Sequence, residues 1–246
     1  MTLVKRLEGA SSNRPSICGS NCVIDNSATF FGNVVVGQGC YIGRNVIIGQ
    51  PSIEEIKELQ KNTTDSVNNT STCIGNNVII QPNVVISNNV IIGDNVSIGP
   101  FTTIGQNSTV GDGTDIMYRA QIFENIKIGK YCKIGGFICD YSIIGNSVTV
   151  MGNLIHSYRN GWIENEDLED ESPIIEDDVI IGFDSLVIGK VQVKSGTYVA
   201  AGAIVTDNTP GNCIVKSINQ IVKVDDYIGK LRNGKFFHDE EKNENS

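Results

Sequence analysis

The most constraining feature of this chain is an aliphatic residue at every sixth position. From Ile74 to Ile134 the series continues without a break through Ile80, Ile86, Ile92, Ile98, Ile104, Val110, Ile116, Ile122 and Ile128. A period of six is neither the 3.6 of an α-helix nor the plain alternation of a flat strand. It predicts short strands separated by corners, with one large apolar side chain pointing inward from each strand. Three such strands complete a triangular coil of about eighteen residues, and stacked coils form a β-helix.

The same period continues on both sides of this central block, so we predict one solenoid rather than two domains. It starts at Ile24 and resumes from Ile175 to Val205. Branched side chains favour strands, and each coil buries its aliphatic residues against the next coil. Gly, Asn and Asp crowd the corners because they tolerate positive φ best. The predicted domain covers residues 1–232, and residues 233–246 are predicted to be a disordered acidic tail.

Two segments interrupt the period and are predicted to be inserted loops. The first covers about residues 50–73, where Ser52 and Glu55 have the spacing of a capping box and predict a helix over about 53–61. The second covers about residues 156–174 and carries His156 together with the only tryptophan. Loops that leave a rigid solenoid commonly carry function, although a merely solvated loop is the alternative. A short helix is also predicted near the C-terminus, over residues 225–232.

Charge and cysteine content exclude several classes of protein. The net charge of −9 argues against a nucleic-acid-binding surface. We expect no signal peptide and no membrane insertion, because no apolar stretch is long enough. The seven cysteines are scattered without the spacing of metal ligands. Cys40 and Cys132 occupy core positions of their hexads, which indicates free thiols in a reducing cytoplasm.

Stacking of the hexads brings distant residues together. Because three hexads make one coil, every third hexad lies above the last at about 4.8 Å. One corner is thus predicted to carry Glu124 and Asp140 directly below His156. An imidazole titrates near neutral pH, and beside carboxylates it is suited to general-base catalysis. His156, Asp140 and Glu124 are therefore candidate catalytic residues, although acidic residues are also common in ordinary turns.

A second corner is predicted from the same count, and basic residues lie near it. Its predicted members are Asp94, Asp112, Lys130, Asn146, Phe183 and Ala201. The basic residues that fall within the two coils before His156 are Arg119, Lys127, Lys130 and Lys133. Such a cluster suits the phosphates of a nucleotide, and a solvated, salt-bridged surface explains it equally well.

Two segments near the C-terminus carry a resemblance to a known family. The segments Pro173–Phe183 and Val199–Pro210 resemble the hexapeptide-repeat acyltransferases, and the resemblance covers about residues 20 to 225. It implies a left-handed parallel β-helix, whereas the general preference for parallel crossovers is right-handed. It also implies that His156 is the catalytic base. By the same resemblance Phe183, Ala201 and Thr206 line a coenzyme A groove, although Asp207 stands where the family usually has lysine.

Within that family, the segment Tyr118–Asn125 resembles N-acyltransferases that act on nucleotide-linked amino sugars. This implies transfer of an acyl group, acetyl in the simplest case, from acyl-CoA to the amine of such a sugar in cell-envelope glycan synthesis. The substrate-binding residues would be Tyr118, Arg119 and Lys130. The resemblance further implies a cytoplasmic homotrimer with active clefts between subunits. O-acetylation of a sugar or another small alcohol stays open, because the same base would serve.

Two other functions of such a scaffold fit the sequence poorly. The γ-type carbonic anhydrases hold zinc with three histidines, and this chain has only His156 and His238. We therefore expect no metal. A non-enzymatic scaffold or ice-binding solenoid would show flat rows of Thr, which are absent here, and would not need the His156–Arg159 loop.

Overall fold

The computed structural model describes residues 11–12, 14–61, 71–157, 171–217, 230–232 and 235–237. In these residues nearly all regular structure consists of strands of two to four residues. The strands form three long sheets of ten, nine and ten strands, here named sheets A, B and C, and each strand pairs with the strand one coil away. Every pairing in the three sheets is parallel except that of the first strand in sheet A. This topology confirms the predicted fold class, a left-handed parallel β-helix of hexapeptide repeats.

The chain visits the three sheets in turn. Sheet A contains β1 (Ser11–Ser12), β4 (Thr29–Phe31), β7 (Ile47–Gln50), β10 (Val85–Ser87), β13 (Thr103–Ile104), β16 (Gln121–Ile122), β19 (Phe137–Ile138), β22 (Asn153–Ile155), β25 (Leu186–Ile188) and β28 (Ile204–Val205). Sheet B contains β2 (Ile17–Cys18), β5 (Asn33–Val36), β8 (Ser71–Ile74), β11 (Ile91–Ile92), β14 (Thr109–Val110), β17 (Lys127–Ile128), β20 (Ile143–Ile144), β23 (Ile174–Ile175) and β26 (Gln192–Val193). Sheet C contains β3 (Val23–Ile24), β6 (Tyr41–Ile42), β9 (Ile79–Ile80), β12 (Ser97–Ile98), β15 (Asp115–Ile116), β18 (Lys133–Ile134), β21 (Thr149–Val150), β24 (Ile180–Ile181), β27 (Tyr198–Val199) and β29 (Ile214–Val215). Three corners therefore separate the sheets, and we name them AB, BC and CA after the sheets that they join.

The core is the stack of inward-pointing aliphatic side chains that the six-residue period predicts. Ile86, Ile104 and Ile122 stack in sheet A and are completely or almost completely buried. Removing one such side chain from water contributes about 1.5–3 kcal/mol before the entropy of ordering is subtracted. Cys40 and Cys132 are also buried, at the core positions that the sequence assigned to them.

The corners are built on left-handed residues and on side-chain ladders. Most non-glycine residues with positive φ are Asn. At the AB corner the Nδ2 atom of Asn89 donates to Oδ1 of Asn107 at 2.7 Å, and Asn107 donates in the same way to Asn125 at 3.1 Å. Asn suits these positions because it tolerates the left-handed conformation and its amide bonds to the amide above. The ladders keep successive coils in register.

One corner is tightened where Ile134 and Ile138 are only four residues apart. Gly136 turns there with φ +74°, and a Cβ atom at this position would lie 2.1 Å from the carbonyl oxygen of Gly152 in the next coil. Only glycine allows both the positive φ and this close approach. The pair Gly135 and Gly136 therefore allows the tight corner.

The first insertion begins with the predicted helix. Helix α1 (Ile53–Lys61) starts with a capping box, in which Ser52 N–H donates to Glu55 Oε2 at 2.8 Å and Glu55 N–H donates to Ser52 Oγ at 3.1 Å. Asn88 Nδ2 also donates to Glu55 Oε2 at 2.7 Å, which ties the first turn to the AB corner. Sheet B resumes at Ser71, two residues before the predicted end of the insertion. In the described part of the chain no helix is long and apolar enough to cross a membrane.

The predicted C-terminal helix is wrong where the structure describes it. Lys230–Arg232 form strand β30, which pairs antiparallel with β31 (Lys235–Phe237), while residues 225–229 lie outside the described residues. The predicted disorder from residue 233 is likewise wrong at 235–237, and the other tail positions are outside the described residues.

Candidate functional site

A row of polar residues follows the AB corner from coil to coil. Its members, each two positions after the inward-pointing aliphatic residue of a sheet A strand, are Asn88, Gln106, Glu124, Asp140 and His156. Gln106 Nε2 donates to Glu124 Oε2 at 2.8 Å, and the backbone N–H of Glu124 donates to Asp140 Oδ1 at 2.7 Å. The structure therefore brings Glu124 and Asp140 together beneath His156, as the hexad count predicts.

His156 lies at the end of a strand of sheet A, where the second insertion leaves the solenoid. It follows β22 directly and is only 5% exposed. Its Nε2 atom lies 3.1 Å from the backbone carbonyl oxygen of Asp140 and 3.1 Å from Ser172 Oγ. Nε2 thus meets the carbonyl of Asp140, while one carboxylate oxygen of that residue receives the N–H of Glu124. The AB corner therefore holds the imidazole through the backbone carbonyl of Asp140.

Ser172 is the site residue that sequence reasoning missed. It is 2% exposed, and its hydroxyl donates to the carbonyl oxygen of Asp140 at 2.7 Å. No pattern in the sequence points to it, because only the pairing of β23 with β20 in sheet B shows that the insertion returns beside the corner from which it left. A hydroxyl two residues before the resumed strand β23 is therefore placed near His156.

The thiol nearest this row is Cys139, and it does not offer alternative nucleophilic chemistry. It precedes Asp140 and is buried, with Sγ 3.3 Å from Ser142 Oγ. Burial raises the pKa of Cys139 to about 12. The thiol therefore stays protonated at neutral pH, and only the thiolate is a good nucleophile. Among the described residues, no group of three or more His, Cys, Asp or Glu side chains is placed to hold a metal ion.

The second corner predicted from the sequence is corrected by the strand pairing. Ile181 pairs with Val150 and Val199 in sheet C, so Phe183 and Ala201 lie together at the CA corner. The row that contains Lys130 and Asn146 lies instead at the BC corner. The insertion caused the error, because counting hexads across it moved the later residues by one sheet.

The three residues assigned to a coenzyme groove lie on the two sides of one surface. Phe183 is 68% exposed at the CA corner, and its carbonyl accepts from the N–H of Gly202 at 3.0 Å, beside Ala201. Thr206 follows β28 at the AB corner, where its Oγ1 lies 3.1 Å from Asp207 Oδ2. Between the two corners runs the outer face of β25 and β28, where Ile204 is 60% exposed. This surface, the β25–β28 face, is suited to an extended, partly apolar molecule.

Tyr118 and Arg119 form an exposed patch at the CA corner, three coils before Phe183. The Tyr118 ring meets Phe101 edge to face at 6.0 Å between ring centres, and the Arg119 guanidinium carbon lies 5.8 Å from the centre of the Tyr118 ring. Phe101 and Arg119 both have φ near +60°, in the left-handed conformation that bulky side chains rarely adopt. The Phe101–Tyr118–Arg119 patch combines aromatic faces with a cation, which suits planar or anionic groups.

Lys130 lies at the BC corner and therefore apart from both Tyr118 and His156 within one chain. Its Nζ atom lies 2.8 Å from Asp112 Oδ2, and the hydrogen bond from Lys130 holds the pKa of Asp112 below its ordinary value of 3.8. Both side chains are well exposed, so this ion pair contributes little to stability. Lys127 lies in sheet B and Lys133 in sheet C, so the predicted basic cluster is spread around the solenoid.

Comparison with known proteins agrees with this architecture. Residues 72–106 match the family described as bacterial transferase hexapeptide (six repeats). Hexapeptide repeats of the kind that this family model describes thus occur within residues 72–106. It is 29% identical over 126 residues to the bifunctional protein GlmU of Bartonella bacilliformis, which covers 48% of this chain and 27% of the relative. It is 45% identical over 58 residues to a 2,3,4,5-tetrahydropyridine-2,6-dicarboxylate N-acetyltransferase of Staphylococcus aureus, covering 22% of this chain and 24% of the relative.

The chain spans about a quarter of the length of these curated relatives. Among solved structures, LpxA from Acinetobacter baumannii is similar with a TM-score of 0.44 and 17% identity, covering 81% of this chain and 70% of that protein.

Proposed function

We propose that the protein transfers an acyl group, acetyl in the simplest case, from acyl-CoA to the amine of a nucleotide-activated amino sugar in cell-envelope glycan synthesis. The observation that carries the proposal is the placement of His156. The imidazole is almost buried, is held through Nε2 by Asp140 and Ser172, and lies in the polar row one coil above Asp140 and two coils above Glu124. A histidine fixed in this way at the edge of an open surface is arranged for proton transfer.

The reaction needs one base and one site for a developing oxyanion. As the amine nitrogen attacks the thioester carbonyl, His156 takes the proton that the nitrogen loses. The tetrahedral intermediate carries its negative charge on the former carbonyl oxygen, and a backbone N–H of the later coils stabilises that charge. When the intermediate collapses, the C–S bond breaks and the imidazolium returns its proton to the departing thiolate. The products are the amide and free coenzyme A.

In this proposal the acyl-CoA donor binds on the β25–β28 face. Phe183 and Ala201 flank this face on one side and Thr206 on the other, and Ile204 supplies an apolar floor. The thioester arm of coenzyme A, a long and mostly uncharged chain, matches such a surface. Asp207 is adjacent to Thr206 and repels phosphate groups, so the phosphates of the donor are expected to lie away from this corner.

In this proposal the nucleotide of the acceptor binds on the Phe101–Tyr118–Arg119 patch. An aromatic ring can stack against the base, and the guanidinium can pair with the diphosphate. This patch lies at the CA corner, whereas His156 lies at the AB corner and Lys130 at the BC corner. One chain does not bring these three together. The complete site is therefore expected to combine residues from two subunits.

The proposal includes a cytoplasmic homotrimer, in which each site is shared between two subunits. Three straight solenoids packed around an axis create three equivalent clefts, each lined by two chains. The apolar residues of helix α1 support contact with a neighbour, because Ile53 is 66% exposed and Ile56 is also exposed in one chain. Exposed apolar side chains that project from an insertion are typical of subunit interfaces.

An amine acceptor is preferred to a hydroxyl acceptor because of the charge beside His156. The carboxylates of Glu124 and Asp140 attract an ammonium group, which releases one proton to solvent before the neutral amine attacks and gives its next proton to His156. The partial likeness to an N-acetyltransferase points in the same direction. O-acetylation of a sugar or another small alcohol is the alternative activity of the same base.

A direct assay separates these possibilities. Purified protein is incubated with acetyl-CoA and a panel of nucleotide amino sugars, and the released thiol is measured. Each amino sugar is paired with the matched nucleotide sugar that carries a hydroxyl in place of the amine, and His156→Ala is tested beside the wild type. Thiol release with the amino sugars alone supports the proposal. Release with the hydroxyl sugars alone establishes O-acylation, and no release from any donor–acceptor pair contradicts the proposed activity.

A further inference from the structure

Three polar groups meet at the base of the second insertion, and their chemistry restricts where the protons lie. The backbone carbonyl oxygen of Asp140 receives two contacts, from Ser172 Oγ at 2.7 Å and from His156 Nε2 at 3.1 Å. Nε2 also lies 3.1 Å from Ser172 Oγ. A carbonyl oxygen can only accept hydrogen bonds, and a serine hydroxyl has a single proton to donate.

This triangle is satisfied by one arrangement of protons. The Ser172 hydroxyl donates its proton along the shortest of the three contacts, to the Asp140 carbonyl. Its oxygen is then an acceptor toward the imidazole, as is the carbonyl itself. Nε2 faces two acceptors and must therefore carry a proton, because two facing lone pairs would repel.

We propose that Ser172 is a positioning residue that holds neutral His156 as the Nε2–H tautomer. The catalytic meaning of this assignment rests on the proposed function, while the tautomer itself does not. The hydroxyl also fixes the plane of the ring, since Nε2–H has acceptors on two sides. A buried imidazole ring that has only one hydrogen-bond acceptor is held less firmly in one orientation and one tautomer.

The position of Ser172 in the chain gives this contact a second consequence. His156 precedes the second insertion and Ser172 follows it, so the contact joins the two ends of the inserted segment. Both side chains are nearly buried, which strengthens the hydrogen bonds and excludes competing water. The orientation of the base therefore depends on the contact between these two end residues.

Nitrogen NMR of histidine-labelled protein tests the proposal. The chain has only His156 and His238, so two ring patterns are expected, and His238→Gln assigns them. The wild type is expected to show the Nε2–H pattern for His156. In Ser172→Ala we expect a mixture of tautomers and a fall in kcat of about tenfold, the rate equivalent of one hydrogen bond, with donor affinity unchanged. Ser172→Thr keeps the hydroxyl and is expected to restore both the pattern and the rate.

The matched control is Ser185→Ala. Ser185 is completely buried and donates to the carbonyl oxygen of Gly182 at 2.7 Å, but it has no contact with His156 in the structure. This variant should keep the wild-type pattern and rate. If Ser172→Ala changes both readouts while Ser185→Ala changes neither, the effect belongs to the histidine contact and not to the loss of a buried hydroxyl.

Two results would overturn the proposal: an Nδ1–H pattern for His156 in the wild type, or an unchanged pattern and rate in Ser172→Ala. If Ser172→Ala does not fold, the wild-type pattern and that of Ser172→Thr still decide the assignment. If the tautomer changes in Ser172→Ala but the protein transfers no acyl group to any acceptor, the positioning role stands and only the proposed function is contradicted.

Discussion

The Nε2 atom of His156 lies 3.1 Å from the hydroxyl oxygen of Ser172, although sixteen positions separate the two residues along the chain. The solenoid makes this possible because strand β22 of sheet A ends on one side of the AB corner and strand β23 of sheet B starts on the other. An insertion between these two strands therefore begins and ends at the same corner, whatever its length. The corner thus holds the candidate base from both ends of the inserted segment.

Removing the candidate base should nearly abolish turnover. His156→Ala is expected to lower kcat by roughly 10²–10⁴-fold, the usual contribution of a general base. The affinity for acyl-CoA, measured by calorimetry, should not change, because the β25–β28 face lies on later coils. His238→Ala, which removes the only other histidine, is the control. A His156→Ala variant with more than about a tenth of wild-type activity would move the role to Asp140 and Glu124, acting on an amine that arrives already neutral.

Filling the proposed donor surface should block acyl-CoA binding without unfolding the protein. Ala201 is exposed at the CA corner, so Ala201→Trp adds bulk on the outside of the solenoid. We expect calorimetry to detect no binding, with an unchanged melting temperature. Lys194→Trp, an exposed position near the BC corner, should bind normally. Unaltered affinity in Ala201→Trp would remove the groove assignment for Phe183 and Thr206 as well.

The oligomer should be a trimer that depends on helix α1. Light scattering is expected to give three times the 26.6 kDa mass of one chain. Ile53→Lys combined with Ile56→Lys should lower this mass, because both apolar side chains are exposed in one chain. Lys57→Glu, a charge change on the same helix, should leave it unchanged. A wild-type protein that is a stable monomer at working concentration would contradict the two-subunit site.

The tight corner at Gly136 should tolerate no Cβ atom. In Gly136→Ala the methyl group would meet the carbonyl of Gly152, and the positive φ adds about 1–2 kcal/mol of strain. Gly32→Ala provides a matched control, since Gly32 has a similar φ of +64° and open space around the position of a Cβ atom. We expect Gly136→Ala to melt well below Gly32→Ala in a thermal scan. Equal melting temperatures would show that the close approach costs nothing.

Acid should weaken the late coils through Glu176. The Ser195 backbone N–H, followed by the side chains of Ser195 and Gln192, holds the pKa of Glu176 below its ordinary value of 4.5. A depressed pKa contributes stability above the unfolded value, and this is lost as pH falls through the folded value. Urea midpoints should therefore fall below about pH 4.5, and less steeply in Glu176→Gln. Glu54→Gln on helix α1 is the control, and an identical slope in Glu176→Gln would contradict the assignment.

The sequence by itself determined the fold and the polar row of the site. The six-residue period is a local pattern, and three hexads per coil convert it into contacts by simple counting. Wherever the chain runs without an insertion the count is right, so counting alone places Glu124 and Asp140 beneath His156. The capping box likewise located helix α1, because the hydrogen bonds that start a helix span only three residues.

The tertiary structure alone decided what lies beyond the second insertion. An insertion has no period, so only strand pairing shows which sheet the chain rejoins. That pairing assigns Phe183 and Ala201 to the CA corner and Thr206 to the AB corner. The contact between Ser172 and His156 likewise depends on the return of the chain to sheet B beside the AB corner. Sequence periodicity reports which side chains point inward, whereas the partners of a side chain at a corner are set by the coils above and below it, which are distant in sequence.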